Sequence, residues 1–428
     1  MNTIYRRIVA SNLIPWRLRS KLERWVETQC SVRLPGLYRL LQLGDSRNHL
    51  IPVTSSPKHH FFGYYEKSPW NASQTLLLAN EADFNDRAPR LNDSVRVGVV
   101  RLEDKRFEPL GESLAWNWQQ GSMLTWHPAD PENLFVHNDR RSGKLVGVVR
   151  HTSGQELQVY DQPIYTLSPN GKTAWSLNFA RLATHRPGYG YAGVADPWAD
   201  IRHPDSDGIY SINLADGEST LIVTLDELAR RNPTANMAGQ FHWVNHIQAS
   251  PKGSRIAFFH LWREGETGWG VRLYVSRPDG SELACRLDTG RISHYDWLDE
   301  DHVLVWARRE EGSERLLLVD VRNGICRVYG EGVVTEDGHC TFGPDRRWVL
   351  NDTYPDRFDM RTLMLVSWPE ATTCINVARV YSPKSKWWGE IRCDLHPRWS
   401  HDGRQVCIDS VHEGTRQIYI ADVSKWTL

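Results

Sequence analysis

A turn signal followed at once by a β-rich run occurs seven times along the chain, and no other feature restricts its fold as much. The units begin at Ser68-Pro69-Trp70-Asn71 before QTLLLANEADF, His127-Pro128 with PENLFVHNDR, and Ser168-Pro-Asn-Gly171 before KTAWSLNF. They continue at Ser250-Pro-Lys-Gly253 before SRIAFFHLW, Trp297-Leu-Asp-Glu300 before HVLVWARRE, Gly343-Pro-Asp-Arg346 before RWVLNDTYP, and Ser400-His-Asp-Gly403 before RQVCIDSV. Each reads as a β-turn and a strand, and each is followed by a second alternating run such as SVRVGVVRL, KLVGVVRH, GIYSINL or QIYIADV. A single unit of three or four strands cannot cover its own apolar faces, whereas seven stacked in a ring can. The sequence therefore predicts an all-β fold, a seven-bladed β-propeller over residues 48–428. A strand near His49–Val53 is expected to close the ring by pairing with the last blade.

One interval is longer than the others. Ser168 and Ser250 are 250 − 168 = 82 residues apart, and the excess runs through RPGYGYAGVADPWADIRHPDSDG and a short helical stretch near Leu225–Arg231. Long loops on a rigid scaffold tend to carry function.

The first 47 residues have a different character. Nine Lys/Arg stand against Glu23, Glu27 and Asp45, a net charge of 9 − 3 = +6, and Leu18, Leu22, Trp25 and Val26 recur at helical spacing. Residues 1–47 therefore read as a basic α-helical extension, with an amphipathic helix over 16–29. Two roles stay open for it: packing on the propeller, or contact with a membrane surface or a partner protein.

Charge and composition exclude several classes. The formal net charge of −1 gives no field for nucleic acid. No run approaches the roughly 20 apolar residues of a membrane span, and Met1–Cys30 has no apolar core of an export signal. Seven cysteines without a CxxC pair do not make a disulfide framework, so a cytoplasmic location is expected. The 19 Trp, 15 Tyr and 11 Phe suit sheet faces or sugar-stacking surfaces.

In a propeller the first strand of each blade lines the central channel, so equivalent positions in successive blades face one another. Three or four residues before the turn signals stand Tyr64, Met123, Ile164, His246, His294, His339 and His396. Four successive blades thus present histidine at one level. Imidazoles converging from separate strands suit a divalent transition metal such as Mn or Zn; a ring of histidines bonded to one another, to backbone or to water is the alternative.

A second constellation lies in blade three. Tyr165 is one residue off the same register, and Arg181 ends the following strand in SLNFAR, sixteen positions later. If a turn between adjacent strands joins them, the guanidinium favours the phenolate and makes Tyr165 a usable base. An unrelated buried Tyr and surface Arg is the other reading. Gln120, His60, Arg186 and Tyr189 add polar and aromatic groups on neighbouring segments.

NHIQASPKGSRIAFFH (Asn245–His260), SHYDW (Ser293–Trp297) and DGHCTFGPD (Asp337–Asp345) resemble, in order and spacing, segments of the propeller-fold polysaccharide lyases that act on uronic-acid sugars. The resemblance to oligogalacturonate lyase implies a base at His246 and metal ligands at His294 and His339. His396 and His246 are further candidates to complete the metal site. Thr341 and Glu336 stand where that family has a ligand histidine and a ligand glutamine. The Tyr165 to Arg181 spacing is similar instead to the ulvan and rhamnosyl-glucuronate lyases, which implies Tyr165 as base or acid and Arg181 as carboxylate partner. Gln120 stands where those families place a histidine.

The resemblance implies β-elimination at a 4-linked uronate. That reaction needs a cation or donors for the carboxylate, a base at C5 and an acid at the leaving O4. Arg181 with Gln120 are candidates for the first need, and Tyr165, His246 or His60 for the others; RPGYGY, with Arg186 and Tyr189, is either a cleft wall or a loop that packs on itself. The expected partner is a uronic-acid oligosaccharide or polysaccharide, and the metal is either catalytic or structural. A non-catalytic propeller that binds a glycan or protein is the rival reading. A propeller-gated serine peptidase is not, since its hydrolase domain and GxSxG elbow are missing.

Overall fold

The computed structural model describes residues 50–266, 268–309 and 311–427. The expected helical extension over 1–47 lies outside them.

Seven four-stranded antiparallel sheets form the ring. In blade one the strands are His59–Phe61, Leu76–Ala82, Val95–Arg101 and Arg106–Ser113, ordered from the channel outward. The two runs recognised in each sequence unit are the second and third strands, for example Leu134–Arg141 with Lys144–His151, or Ile256–Glu264 with Gly268–Ser276. These middle strands are buried on both faces because blades stack face to face, which explains their near-continuous apolar character. The outer strands, such as Glu156–Tyr160, are largely exposed. The core accordingly lies between blades. Val136, Val149, Ile164, Ala174 and Ile212 fill one such seam, between blades two and three.

Closure follows the sequence expectation. Leu50–Pro52 pairs with Gln417–Asp422 as the outermost strand of blade seven. A polar clasp reinforces the same seam: the Arg398 guanidinium binds Asp409 through both of its terminal nitrogens and donates to the Gly63 carbonyl (2.6 Å). Gly63 has φ +133°, and a Cβ there would lie 2.6 Å from the Gln120 carbonyl oxygen, so only glycine fits.

The inner strands lose their pairing at one common level. The register shifts between Asn245 and Gln248 in blade four and between Ile292 and Tyr295 in blade five. In blades six and seven the paired segments Thr341–Phe342 and Arg398–Trp399 begin just after His339 and His396. Met123, His246 and His396 have positive φ at this level (58°, 54° and 43°), a conformation histidine tolerates better than most residues. Such bulges turn side chains out of the alternating pattern. Here they aim them into the channel.

Between blade-three strands Thr173–Leu177 and Gly208–Asn213, the long insertion opens with a helix, Phe179–His185, capped by Asn178. The predicted helix near Leu225–Arg231 is present as Leu225–Arg230. No helix of the described residues is long and apolar enough to cross a membrane.

Candidate functional site

All four register histidines surround Tyr64. Its ring centroid lies 5.0 Å from that of His246, 4.9 Å from His396, 6.1 Å from His339 and 6.4 Å from His294. His339 is in turn 4.0 Å from His294 and 4.4 Å from His396. The Tyr64 hydroxyl and His246 Nε2 are 3.4 Å apart.

Two of the imidazoles here have unspent bonding capacity. Asp352, which ends the second strand of blade six, accepts from the His339 backbone N–H (2.7 Å) and from His339 Nδ1 (2.8 Å) through one oxygen. Gly338 permits that approach, since a Cβ would fall 1.9 Å from the Asp352 carbonyl oxygen. Holding Nδ1 in this way fixes the tautomer and turns the Nε2 lone pair away from the carboxylate. His339 Nε2 and His396 Nε2 have no hydrogen-bond partner, although both residues are about 98% buried or more, and beside them Asp394 Oδ1 is held only by the Arg361 guanidinium (2.8 Å). Native structures rarely leave such groups idle. The ligand atoms of His339, Asp394 and His396 lie within 4.8 Å of one another, so this buried triad could bind a metal. His294 stands behind it, with Nδ1 3.1 Å from Asp337 Oδ1.

The electrostatics are balanced. Arg361 and Arg392 reach Asp394 at 2.8 and 2.7 Å. Burial opposes its ionisation, but the two guanidiniums outweigh that and hold its carboxyl well below the usual range. Asp337, Asp352 and Asp394 against Arg361 and Arg392 leave 3 − 2 = 1 negative charge around the cluster. Burial, then the neighbouring His339, push His396 well below the ordinary imidazole value. Burial also depresses His246, aided by His294 and Arg186. Both are neutral imidazoles at pH 7.

The insertion supplies the rim. Tyr189 folds inward, its ring 5.7 Å from His246 and its hydroxyl accepting from Arg392 (2.7 Å). Arg186 lies over Tyr189 (4.9 Å) and Trp269 (3.9 Å), half-buried, and no carboxylate among the described residues pairs with it. The segment RPGYGY is thus a wall of the site.

The other sequence candidates are placed elsewhere or are already engaged. The expected pairing of Tyr165 with Arg181 does not form. Arg181 sits in the capped helix rather than at a strand end, 1% exposed. Its guanidinium binds Asp196 (3.0 Å) and the carbonyls of Trp198, Ile201, Arg202 and His242. Tyr165 is fully buried, and burial raises its phenol well above the ordinary value, opposite to the lowering that an arginine would give. Its hydroxyl accepts from Gln120 Nε2 (2.7 Å) and the His246 backbone N–H (3.1 Å), and donates to Asn245 (3.1 Å). Tyr165 and Gln120 therefore hold the backbone that carries His246. His60 has both ring nitrogens taken by Gln417 and Glu81, each at 3.0 Å, at the seam of blades seven and one. Thr341 is buried and Glu336 exposed.

Asp394, Asp352 and Arg392 were not among the sequence candidates. The D-x-H of CDLHPRW carried a signal, a carboxylate two residues before a register histidine. Asp352, at the end of a strand, had none.

No family model matches the sequence, and no curated protein does. Among solved structures, oligogalacturonate lyase in complex with manganese is similar with a TM-score of 0.63 at 14% identity, over 87% of this chain and 92% of that one. Oligogalacturonate lyase from Vibrio parahaemolyticus gives 0.61 at 13% identity, over 87% and 93%. These likenesses show the shared propeller fold, on which function is not fixed.

Proposed function

We propose that the protein is a lyase that cleaves a 4-linked uronic-acid glycoside by β-elimination, with His246 as the base. The observation that carries this is the pairing of a neutral imidazole, His246, with an unpartnered guanidinium, Arg186, both packed on Tyr189 at the rim of a buried His/Asp/His triad. The likeness to oligogalacturonate lyases supports the same reading.

Arg186 takes the role expected of Arg181. Its charge receives the substrate carboxylate, which is adjacent to C5 and acidifies the proton there. His246 removes that proton; the electron pair forms the C4–C5 double bond as the C4–O4 bond breaks. The imidazolium so formed can return its proton to the leaving O4 on the same face of the ring, so no further reactant is consumed. Carboxylate binding also offsets the charge of Arg186, one of the groups that depress the His246 imidazole, and so makes the base stronger when substrate is present.

His339, His396 and Asp394 fit a divalent transition metal, because two unpartnered Nε2 atoms and a carboxylate converge with Asp352 orienting one of the imidazoles. Manganese and zinc both accept this donor set. An ion held by these residues would supply fixed positive charge to the site.

The test is incubation of the purified protein with uronic-acid oligosaccharides of several linkages, following the ultraviolet absorbance of the unsaturated product, together with metal analysis. Product from at least one linkage is expected. None from any, with saccharide binding intact, would make this a glycan-binding propeller instead.

A further inference from the structure

We infer that the insertion which walls the channel site is held shut by a proton-sensitive latch, the bonded imidazoles of His242 and His260, and swings open in mild acid. The inference concerns access to the site and holds whatever reaction the site performs.

His242 begins the inner strand of blade four, and His260 lies diagonally across from it on the second strand. His242 Nδ1 and His260 Nε2 are 2.8 Å apart, and the rings stack with centroids 5.1 Å apart. The two residues are 1% and 0% exposed. The Met237 carbonyl faces His242 Nε2 at 3.5 Å, while His260 Nδ1 has no partner. Two neutral imidazoles carry two ring protons. With His260 Nε2 donating to His242 Nδ1, the second proton sits on His242 Nε2 against Met237, and His260 Nδ1 is left as an idle acceptor. A third proton has only that nitrogen to go to, and nothing there accepts from it.

The surroundings are already matched in charge. No carboxylate among the described residues bonds either ring. The basic groups nearest the pair are Arg181, Arg272 and His203, whose ring is 5.6 Å from that of His242. Their carboxylates are taken: Asp196 by Arg181 (3.0 Å), Asp288 by Arg272 (2.8 Å), and Asp226 by His203 (2.9 Å) and Arg230 (2.7 Å). Farther out, His185 and Arg263 lie on Trp243, Arg202 lies on Phe241, and Glu264 turns to Asn236. A protonated pair is thus a buried cation among cations. Burial first, and then His203, Arg181 and Arg272, push His242 down to about 4; burial, His242 and Arg272 hold His260 well below the ordinary value.

The pair lies under the insertion. The Arg202 carbonyl accepts from the His242 N–H (2.8 Å), and the His242 carbonyl accepts from Arg181 Nε (2.6 Å). Arg181 belongs to the helix Phe179–His185, which runs straight into RPGYGY and so carries Arg186 and Tyr189. Movement at His242 is therefore passed through Arg181 to the wall of the site. Once the segment lifts, the rings regain the ordinary imidazole value of about 6.5. Closure is complete above that pH and is lost as pH falls towards the closed-state value of about 4.

The experiment is hydrogen–deuterium exchange of the full chain at pH 7 and pH 5, corrected for the intrinsic pH dependence of exchange. For one proton, opening of residues 179–205 and 231–243 should rise about 20-fold at pH 5, with Leu76–Ala82 and Leu134–Arg141 of blades one and two little changed. No acceleration in the insertion, or an equal one in those blades, overturns the inference. His242→Asn with His260→Gln keeps a side-chain bond but removes both titrating rings, so the response should vanish. Its persistence in the folded double variant overturns the inference, as does its loss in His185→Phe, which leaves the pair intact. Should the double variant fail to fold, NMR of histidine-labelled wild type decides. The coupling between ring nitrogens across the shared bond should disappear over the pH range in which exchange accelerates, and a coupling that survives while the insertion opens overturns the inference.

Discussion

Blade three and blades four to seven offer the same kinds of side chain to the channel region, yet treat them in opposite ways. Arg181 makes five hydrogen bonds, to Asp196 and four backbone carbonyls, and Tyr165 makes three. On the histidine side, His339 and His396 are as deeply buried but each keeps Nε2 unused. A buried polar group whose bonds are all made is a structural member, since any ligand would have to break them. One with an idle lone pair aimed at another such group awaits a ligand. Residue type alone makes Tyr165 and Arg181 look like chemistry; the bond inventory makes them scaffolding.

The sharpest way to break this contrast is to remove the base. His246→Ala should lower kcat by about 10²–10⁴-fold on the best uronate substrate, the usual contribution of a positioned general base. Unchanged turnover would return the chemistry to another residue. Arg181→Met should act on the other side of the comparison. It strands the buried Asp196 carboxylate, so stability should fall by about 3–5 kcal/mol, read from denaturant unfolding. If kcat/KM falls with stability unmoved, Arg181 belongs to the active machinery after all. Asp352→Asn keeps the shape but weakens the hold on His339 Nδ1, and should cost about 10–100-fold in metal affinity by competition with a chelator. A metal-free protein whose activity chelation and metal addition leave unmoved would identify a hydrogen-bonded cluster instead.

The smallest effect expected is in the pH profile. Because burial and neighbouring cations depress the His246 imidazole, the acid limb of kcat/KM should lie below pH 6.5, the ordinary value, with activity lost as the proton goes on. Substrate carboxylate against Arg186 relieves part of that depression, so the limb of kcat should lie at higher pH than that of kcat/KM. Coincident limbs would separate Arg186 from the carboxylate.

Much of this arrangement was legible in the sequence because propeller geometry repeats. Turn signals marked the second and third strands of all seven blades, and an offset of three or four residues from them brought His246, His294, His339 and His396 to one level. Even the closing strand, Leu50–Pro52, fell inside its expected span. What local pattern could not show was set by the insertion and by distant partners. Asn178 starts a helix where the strand period was assumed to continue, and this removes Arg181 from the channel. Asp352 and Asp394 matter through what they face across blades, which neither composition nor spacing reports. RPGYGY read equally as a cleft wall or as a loop packed on itself, and it is the fold that brings the Tyr189 ring to 5.7 Å from His246.

The closing strand has a consequence for durability. The paired residues Leu50–Pro52, extended by bonds from Val53 and Thr54 to Ile418, zip the last blade to the first stretch of described chain, and that blade also carries Asp394 and His396. Peeling this strip would unfasten the ring at the place where two members of the triad enter it. Heat inactivation and metal release should therefore share one rate-limiting step, and stapling the zip covalently should prolong both lifetimes together.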